Sequence, residues 1–189
     1  ILIPGGMAEK KGGEDLEENI RNMIMRSRDE KRLTPVINGG NCLGIISQPG
    51  QYDTTFIPGY KIFQQPREKP RSSGLVLISQ SGAFMISRLA QMPALYPRYA
   101  VSIGNQIDLT ISDYLEYLKD DPDSSVFAVY AEGFKSGDGL RTAQAVREIT
   151  AQGKKVVIYK AGRTREGRSA TAGHTASVAG DYLVNVDVF

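Results

Sequence analysis

Cysteine and histidine occur once each in this 189-residue chain, at Cys42 and His174, and tryptophan does not occur at all. A single cysteine makes no internal disulfide, which excludes a disulfide-stapled scaffold and fits a reducing compartment such as the cytoplasm. No apolar run nears the roughly 20 residues that cross a bilayer, and no signal-peptide pattern opens the chain, so no membrane partner is expected. An excess of one charge is lacking too. The 23 basic and 21 acidic residues leave a net +2, which removes the electrostatic case for nucleic acid as a partner. What remains is the composition of an ordinary globular protein, 41% hydrophobic and 23% charged, which argues against disorder. An initiator methionine is also missing: the chain starts on Ile1-Leu2-Ile3 and stops at Phe189 inside an apolar stretch. Domain ends are usually polar and frayed, so an excerpt of a longer protein is expected.

Along the chain, Leu16, Ile20, Met23 and Ile24 stand at i, i+4, i+7 and i+8, the spacing of an amphipathic helix over 14–28. Residues 34–38 read as a short strand closed by Gly39-Gly40, which with the apolar start gives a βαβ fragment at the edge of a parallel sheet. Four of the nine prolines (Pro49, Pro58, Pro66 and Pro70) fall in 48–73, so that stretch reads as a connecting segment. From Gly74 the pattern is regular. Strands are expected at 75–79, 99–103, 126–130 and 155–159. Between them stand helices at 81–92, around Ile111, Tyr114, Leu115 and Leu118, and at 139–152. Thr110 and Asp113 have the spacing of a capping box, and Gly153 the place of a helix stop. The strands read as continuously apolar, as in a sheet covered on both faces, and their alternation with single helices implies an open parallel α/β sheet.

In such a sheet ligands bind beyond the carboxyl ends of the strands. Four polar features are expected to meet there: Ser79-Gln80-Ser81-Gly82, Gly104-Asn105-Gln106, Glu132-Gly133 and the loop 161–180. That loop is built of Gly, Ala, Ser and Thr, with Arg163, Arg165 and Arg168 ahead of His174. Small residues let backbone approach a ligand, and guanidinium groups favour phosphate. An imidazole there serves as general base, metal ligand or phosphoryl carrier. Metal is the weakest of the three, because no second His or Cys stands at ligand spacing. Ser81, Gly82 and Ala83 open a helix whose N-terminus either docks an anion or is simply capped by Ser81. Glu132 is either a solvated turn residue or a carboxylate that fixes the tautomer of the histidine. Asn41 and Cys42 either line a nucleotide or thioester pocket or hold a buried structural thiol.

Five ordered motifs carry a resemblance: Gly40-Asn41-Cys42-Leu43-Gly44-Ile45, Ile78-Ser79-Gln80-Ser81-Gly82-Ala83, Ser102-Ile103-Gly104-Asn105-Gln106, Tyr130-Ala131-Glu132-Gly133-Phe134 and Gly173-His174-Thr175-Ala176-Ser177. Over nearly the whole chain it resembles the NDP-forming acyl-CoA synthetases, relatives of the succinyl-CoA synthetase alpha subunit and of ADP-forming acetyl-CoA synthetase. The resemblance implies that residues 1–45 are the C-terminal part of a Rossmann-type CoA-binding domain. It makes 46–73 a proline-rich connector, and 74–189 a flavodoxin-like ligase domain cut short at its C-terminus. It implies an acid–thiol ligase that forms or cleaves acyl-CoA with ATP and ADP through a phosphohistidine. His174 would carry the phosphoryl group, Glu132 would bond the histidine, Ser81, Gly82 and Ala83 would bind phosphate, and Asn41 and Cys42 would lie near CoA. Its implied partners are CoA, a small carboxylic acid and an ATP-grasp domain or subunit that supplies the nucleotide and Mg, within an oligomer. Gly40 replaces a proline usual in the family, and Gly173 and Ala176 flank His174 where Ser and Gly are usual. The isolated chain lacks a nucleotide site and is expected to be inactive. Two alternatives are a non-catalytic CoA-sensing module of a regulatory protein such as an acetyltransferase, and a flavin-binding flavodoxin-like domain.

Overall fold

A computed structural model describes residues 12–62, 73–92 and 95–162. Its centre is a six-stranded sheet of order β2-β1-β4-β3-β5-β6. The four strands β3 (Leu75–Ser79), β4 (Tyr99–Ser102), β5 (Val126–Ala131) and β6 (Lys155–Lys160) run parallel. They are joined by α3 (Gly82–Gln91), α4 (Ile111–Leu118) and α5 (Asp138–Ala151). Because successive side chains point to opposite faces of a strand, the central strands β3, β4 and β5 feed two cores. Val76, Ile78, Val101, Ile103, Phe127 and Val129 pack on one face with Ile111 and Leu115 of α4 and Ile149 of α5. Leu77 and Ala100 pack on the other with Met85 and Leu89 of α3.

The helix starts follow their capping chemistry. Thr110 and Asp113 form the expected capping box at α4, the Thr110 amide donating to the Asp113 carboxylate at 2.8 Å. Asp138, at the start of α5, accepts from the Thr110 hydroxyl at 2.6 Å and the Ser112 amide at 3.2 Å, which ties the two helix starts together. Gly153 lies just past α5 in the left-handed region, as a helix stop requires.

Three expectations are corrected. No strand forms over 34–38. The stretch is extended but tied at single points, the Ile37 amide to Asp108 at 2.9 Å and the Leu109 amide to the Ile37 carbonyl at 3.1 Å. Pro35 has no N–H for a ladder, so β-branched content alone does not make a strand here. The first part of the expected connector, residues 46–53, is instead joined to the sheet: β1 (Ile45–Ser47) lies antiparallel to β4 and β2 (Tyr52–Asp53) antiparallel to β1, a hairpin on the edge of the main sheet. Pro49 sits in its turn, where a fixed φ is an advantage. A short helix, α2 (Gly59–Ile62), follows. Finally, the strands are not all covered on both faces. β3 is buried throughout, whereas β6 alternates, because among the described residues it is the edge strand and packs Val156 and Ile158 with the α5 core while Val157 and Tyr159 stay exposed.

Helix α1 (Glu14–Asp29) forms as its periodicity predicts, but its docked face is not the apolar one. Leu16 and Met23 are exposed. The face turned to the sheet carries Glu17, Arg21, Ile24 and Arg28, of which Glu17 and Ile24 are buried. Arg28 makes a bidentate pair with Asp108, 2.7 Å for each bond, and Arg21 Nε donates to the Ile107 carbonyl at 3.2 Å.

Candidate functional site

The carboxyl ends of the four parallel strands lie side by side, and each has polar residues at its end or within four positions beyond it: Gln80-Ser81 after β3, Asn105-Gln106 after β4, Glu132 after β5 and Lys160 at the end of β6. Ser79, Gln80, Ser102, Asn105, Gln106 and Glu132 are all buried. Polar groups taken out of water need partners, and at this edge they find one another.

Glu132 is held most completely. Its amide and that of Gly133 both donate to Gln80 Oε1, at 2.8 and 3.0 Å. The Gly133 carbonyl accepts from Gln106 Nε2 at 3.2 Å, and the Glu132 carbonyl from the Lys160 ammonium at 2.7 Å. Glu132 is only 3% exposed, so the solvated-turn reading does not hold for it. Burial, then the Glu132 charge, push the Tyr130 hydroxyl up to about 12, and Tyr159 adds to this. Burial draws the Lys160 ammonium down from its ordinary range, while the Glu132 charge works against that. The site therefore gathers a buried carboxylate, a phenol and an ammonium that bonds the Glu132 backbone carbonyl.

The turn at Asn41 and Cys42 rests on the end of β4. The Asn105 amide donates to the Gly40 carbonyl at 2.8 Å, the Asn38 side chain to the Ser102 carbonyl at 2.9 Å, and the Leu43 amide to Ser102 Oγ at 3.0 Å. Gly82 permits the same turn to touch α3, since a Cβ there would stand 2.9 Å from that of Leu43. Asn41 is exposed and has a positive φ of 46°. Cys42 is half-buried, its sulfur in contact with Asn38, and burial pushes the thiol up from its ordinary value.

Ser81 caps α3 by accepting from the Phe84 amide at 3.3 Å. Gly82 and Ala83 form the first turn, and Ala83 is exposed at the positive end of the helix dipole. Phe84 stacks on Tyr130 with centroids 4.0 Å apart, which fixes the start of α3 against the strand that carries Glu132.

Gln80 and Gln106, which stand in two of the polar features expected at this edge, bind the Glu132 turn. Lys160 does so too and was missed, although its signal, a polar side chain at the end of an apolar strand, was present. Glu17 gave none. It reaches over the edge from α1, accepting from Lys135 at 3.0 Å and from the Asn105 side chain at 3.4 Å. A cavity of about 450 Å³ lies between α1 and the β4 and β5 loops. Its cations Arg21, Arg28 and Lys135 are already paired with Glu17 and Asp108, so it is not a ready anion site.

His174 and the three arginines ahead of it lie outside the described residues. Among the described residues no group of three or more His, Cys, Asp or Glu is arranged to hold a metal ion, and no helix is long and apolar enough to cross a membrane.

Residues 72–189 match the family described as "Succinyl-CoA ligase like flavodoxin domain". The chain is 34% identical over 186 residues to an acetate–CoA ligase [ADP-forming] of Methanocaldococcus jannaschii, covering 97% of this chain and 24% of that protein. It is 33% identical over 190 residues to the alpha subunit of acetate–CoA ligase [ADP-forming] I of Pyrococcus furiosus, covering 97% of this chain and 36% of the subunit. Among solved structures it is similar to the dinucleotide-forming acetyl-coenzyme A synthetase 1 of Ca. Korarchaeum cryptofilum in complex with phosphate and ADP. There the TM-score is 0.78 at 29% identity, over 100% of this chain and 37% of that one. The chain thus spans 24% to 37% of the length of these relatives.

Proposed function

The chain belongs to the succinyl-CoA ligase like flavodoxin domain family, and from that premise we propose that it is part of an acid–thiol ligase working through a phosphohistidine at His174. The reaction joins a small carboxylic acid to CoA as ATP becomes ADP and phosphate, and it runs in both directions. Residues 1–45 are the end of the CoA-binding domain and 74–189 the ligase domain. An ATP-grasp domain or subunit completes the enzyme, which is a cytoplasmic oligomer.

The roles follow from the chemistry of each group. His174 accepts the phosphoryl group on one imidazole nitrogen. Glu132 takes the N–H of the other nitrogen, fixing the tautomer and stabilising the cation that forms. The helix start at Ser81, Gly82 and Ala83 offers backbone N–H groups and a positive dipole end to the phosphoryl oxygens. Asn41 and Cys42 border the place where the CoA thiol arrives. Magnesium is assigned with the nucleotide to the ATP-grasp partner, and no step here depends on a metal bound by this chain.

The observation that carries this reading is the gathering of the Glu132 turn, the capped start of α3 and the Asn41–Cys42 turn on one edge of the sheet. Its test is turnover. The complete protein with its ATP-grasp part should release ADP and phosphate as acyl-CoA forms, with acetate, the acid named for the relatives, tried first. The 189 residues alone should show no turnover and no micromolar ATP binding by calorimetry. Tight CoA binding without turnover in the complete protein would favour the CoA-sensing alternative, and micromolar ATP binding to the chain alone would contradict the division of labour.

A further inference from the structure

The turn Glu132–Gly133 has four backbone polar groups, and side chains from the ends of the other three parallel strands bind all of them. Gln80 after β3 takes both amides, Gln106 after β4 takes the Gly133 carbonyl, and Lys160 at the end of β6 takes the Glu132 carbonyl. Chains leaving a sheet edge commonly satisfy such groups with water or with the next turn of backbone. Here the two amides converge on a single oxygen of a side chain that is itself 2% exposed.

That convergence fixes more than satisfaction requires. Two N–H groups aimed at one acceptor set the rotation of the peptide plane before Glu132 and of the one after it. Together these set the direction in which the Glu132 Cβ leaves the backbone. The acceptor is a neutral amide oxygen, so it holds the turn without placing a second negative charge beside the Glu132 carboxylate. The Gln80 backbone is held in turn, its amide donating to the Tyr130 carbonyl at 3.0 Å, so the acceptor is referenced to the same strand that it orients.

We propose that Gln80 is a positioning residue that serves the reaction through Glu132, by locking the Glu132–Gly133 turn so that the carboxylate meets the reacting imidazole. This rests on the reading that the Glu132 carboxylate partners His174. Gln80 touches no reacting atom. Its contribution is the alignment that Glu132 would otherwise hold only part of the time, and misplacement on the scale of 1 Å costs on the order of 100-fold in rate.

The experiment is a double-mutant cycle in the complete ligase, reading kcat and KM for CoA and for the acid. Gln80→Met matches the length and volume of glutamine but offers no oxygen, and should lower kcat by roughly 10- to 100-fold with KM nearly unchanged. Introduced into Glu132→Gln, the same change should cost no more than about threefold, because the residue it positions is already disabled. Removing the one acceptor shared by two buried amides also bears on folding. Thermal melting therefore accompanies the kinetics, and Gln80→Asn, which keeps the amide on a shorter stem, takes the place of Gln80→Met in the cycle if that variant does not melt cooperatively. A Gln80 loss that persists in full in the Glu132→Gln background overturns the positioning role and leaves Glu132 intact as a site residue. A Glu132→Gln enzyme with unaltered kcat overturns both, and so identifies the reading of Glu132 as the failure.

Discussion

Gly104 leaves no room for a side chain against Gly40: a Cβ at 104 would stand 2.1 Å from the Gly40 carbonyl oxygen and 2.6 Å from that of Asn41. The Gly104 backbone also has a positive φ of 54°, which side chains rarely adopt. This contact sets the Asn41–Cys42 turn down on the end of β4, and so brings it to the edge where Glu132 sits.

Gly104→Ala is therefore expected to destabilise the chain by more than about 1 kcal/mol, through φ strain and the collision with backbone together. Urea unfolding measures it. A midpoint equal to that of the unchanged protein would mean that the turn is not seated as described.

The docking of α1 is expected to be acid-sensitive. Burial pushes the Asp108 carboxyl up, but the Arg28 hydrogen bond, the Ile37 amide and the Arg28 charge outweigh it and bring the group below its ordinary value. A carboxylate with a lowered folded value stabilises above its unfolded value, near 3.9, and that stability fades as pH falls through the lower folded value. With Arg28 partly exposed the contribution is on the order of 1 kcal/mol or less. Unfolding measured between pH 6 and pH 3 should show Asp108→Asn losing less stability on acidification than the parent. Parallel curves would remove Asp108 from the account.

Burial pushes the Cys42 thiol up, so little of it is thiolate at neutral pH. At pH 7.5 iodoacetamide should modify it about tenfold more slowly than free glutathione. Faster modification would reveal an activated thiol and a chemical role beyond lining the site.

Much of this was legible in the sequence because local rules and burial agree there. The four parallel strands, α3 to α5 and the Thr110–Asp113 cap follow from apolar runs, helical spacing and turn chemistry that all point the same way. Glu132 was legible from its position alone, one step past an apolar strand. What was not legible depends on contacts between distant parts of the chain. The docked face of α1 is its charged face, because its partners Asp108 and Lys135 lie about a hundred residues away and no periodicity reports them. The hairpin β1–β2 was hidden by Pro49, which marks a turn as readily as it marks a linker. Gln80 and Gln106 were legible as residues of this edge, but their grip on the Glu132 turn was not, because glutamine at a strand end has no distinctive spacing.

Glu132→Gln keeps the shape of the side chain and removes its charge. In the complete enzyme it should slow phosphorylation of the histidine, or its discharge, by about 100-fold, the cost of one oriented electrostatic partner. Rapid-quench kinetics in both directions measures this, and a normal rate in each would reduce Glu132 to a structural turn residue.

The most direct test of the central claim is the location of the phosphoryl group. The complete ligase is incubated with γ-labelled ATP, quenched at alkaline pH, digested and mapped by mass spectrometry, in parallel with His174→Asn. The account predicts a base-stable, acid-labile label on the peptide containing His174, absent from the variant while its melting temperature is unchanged. Undiminished labelling of His174→Asn, or a label mapped to another residue, would contradict it.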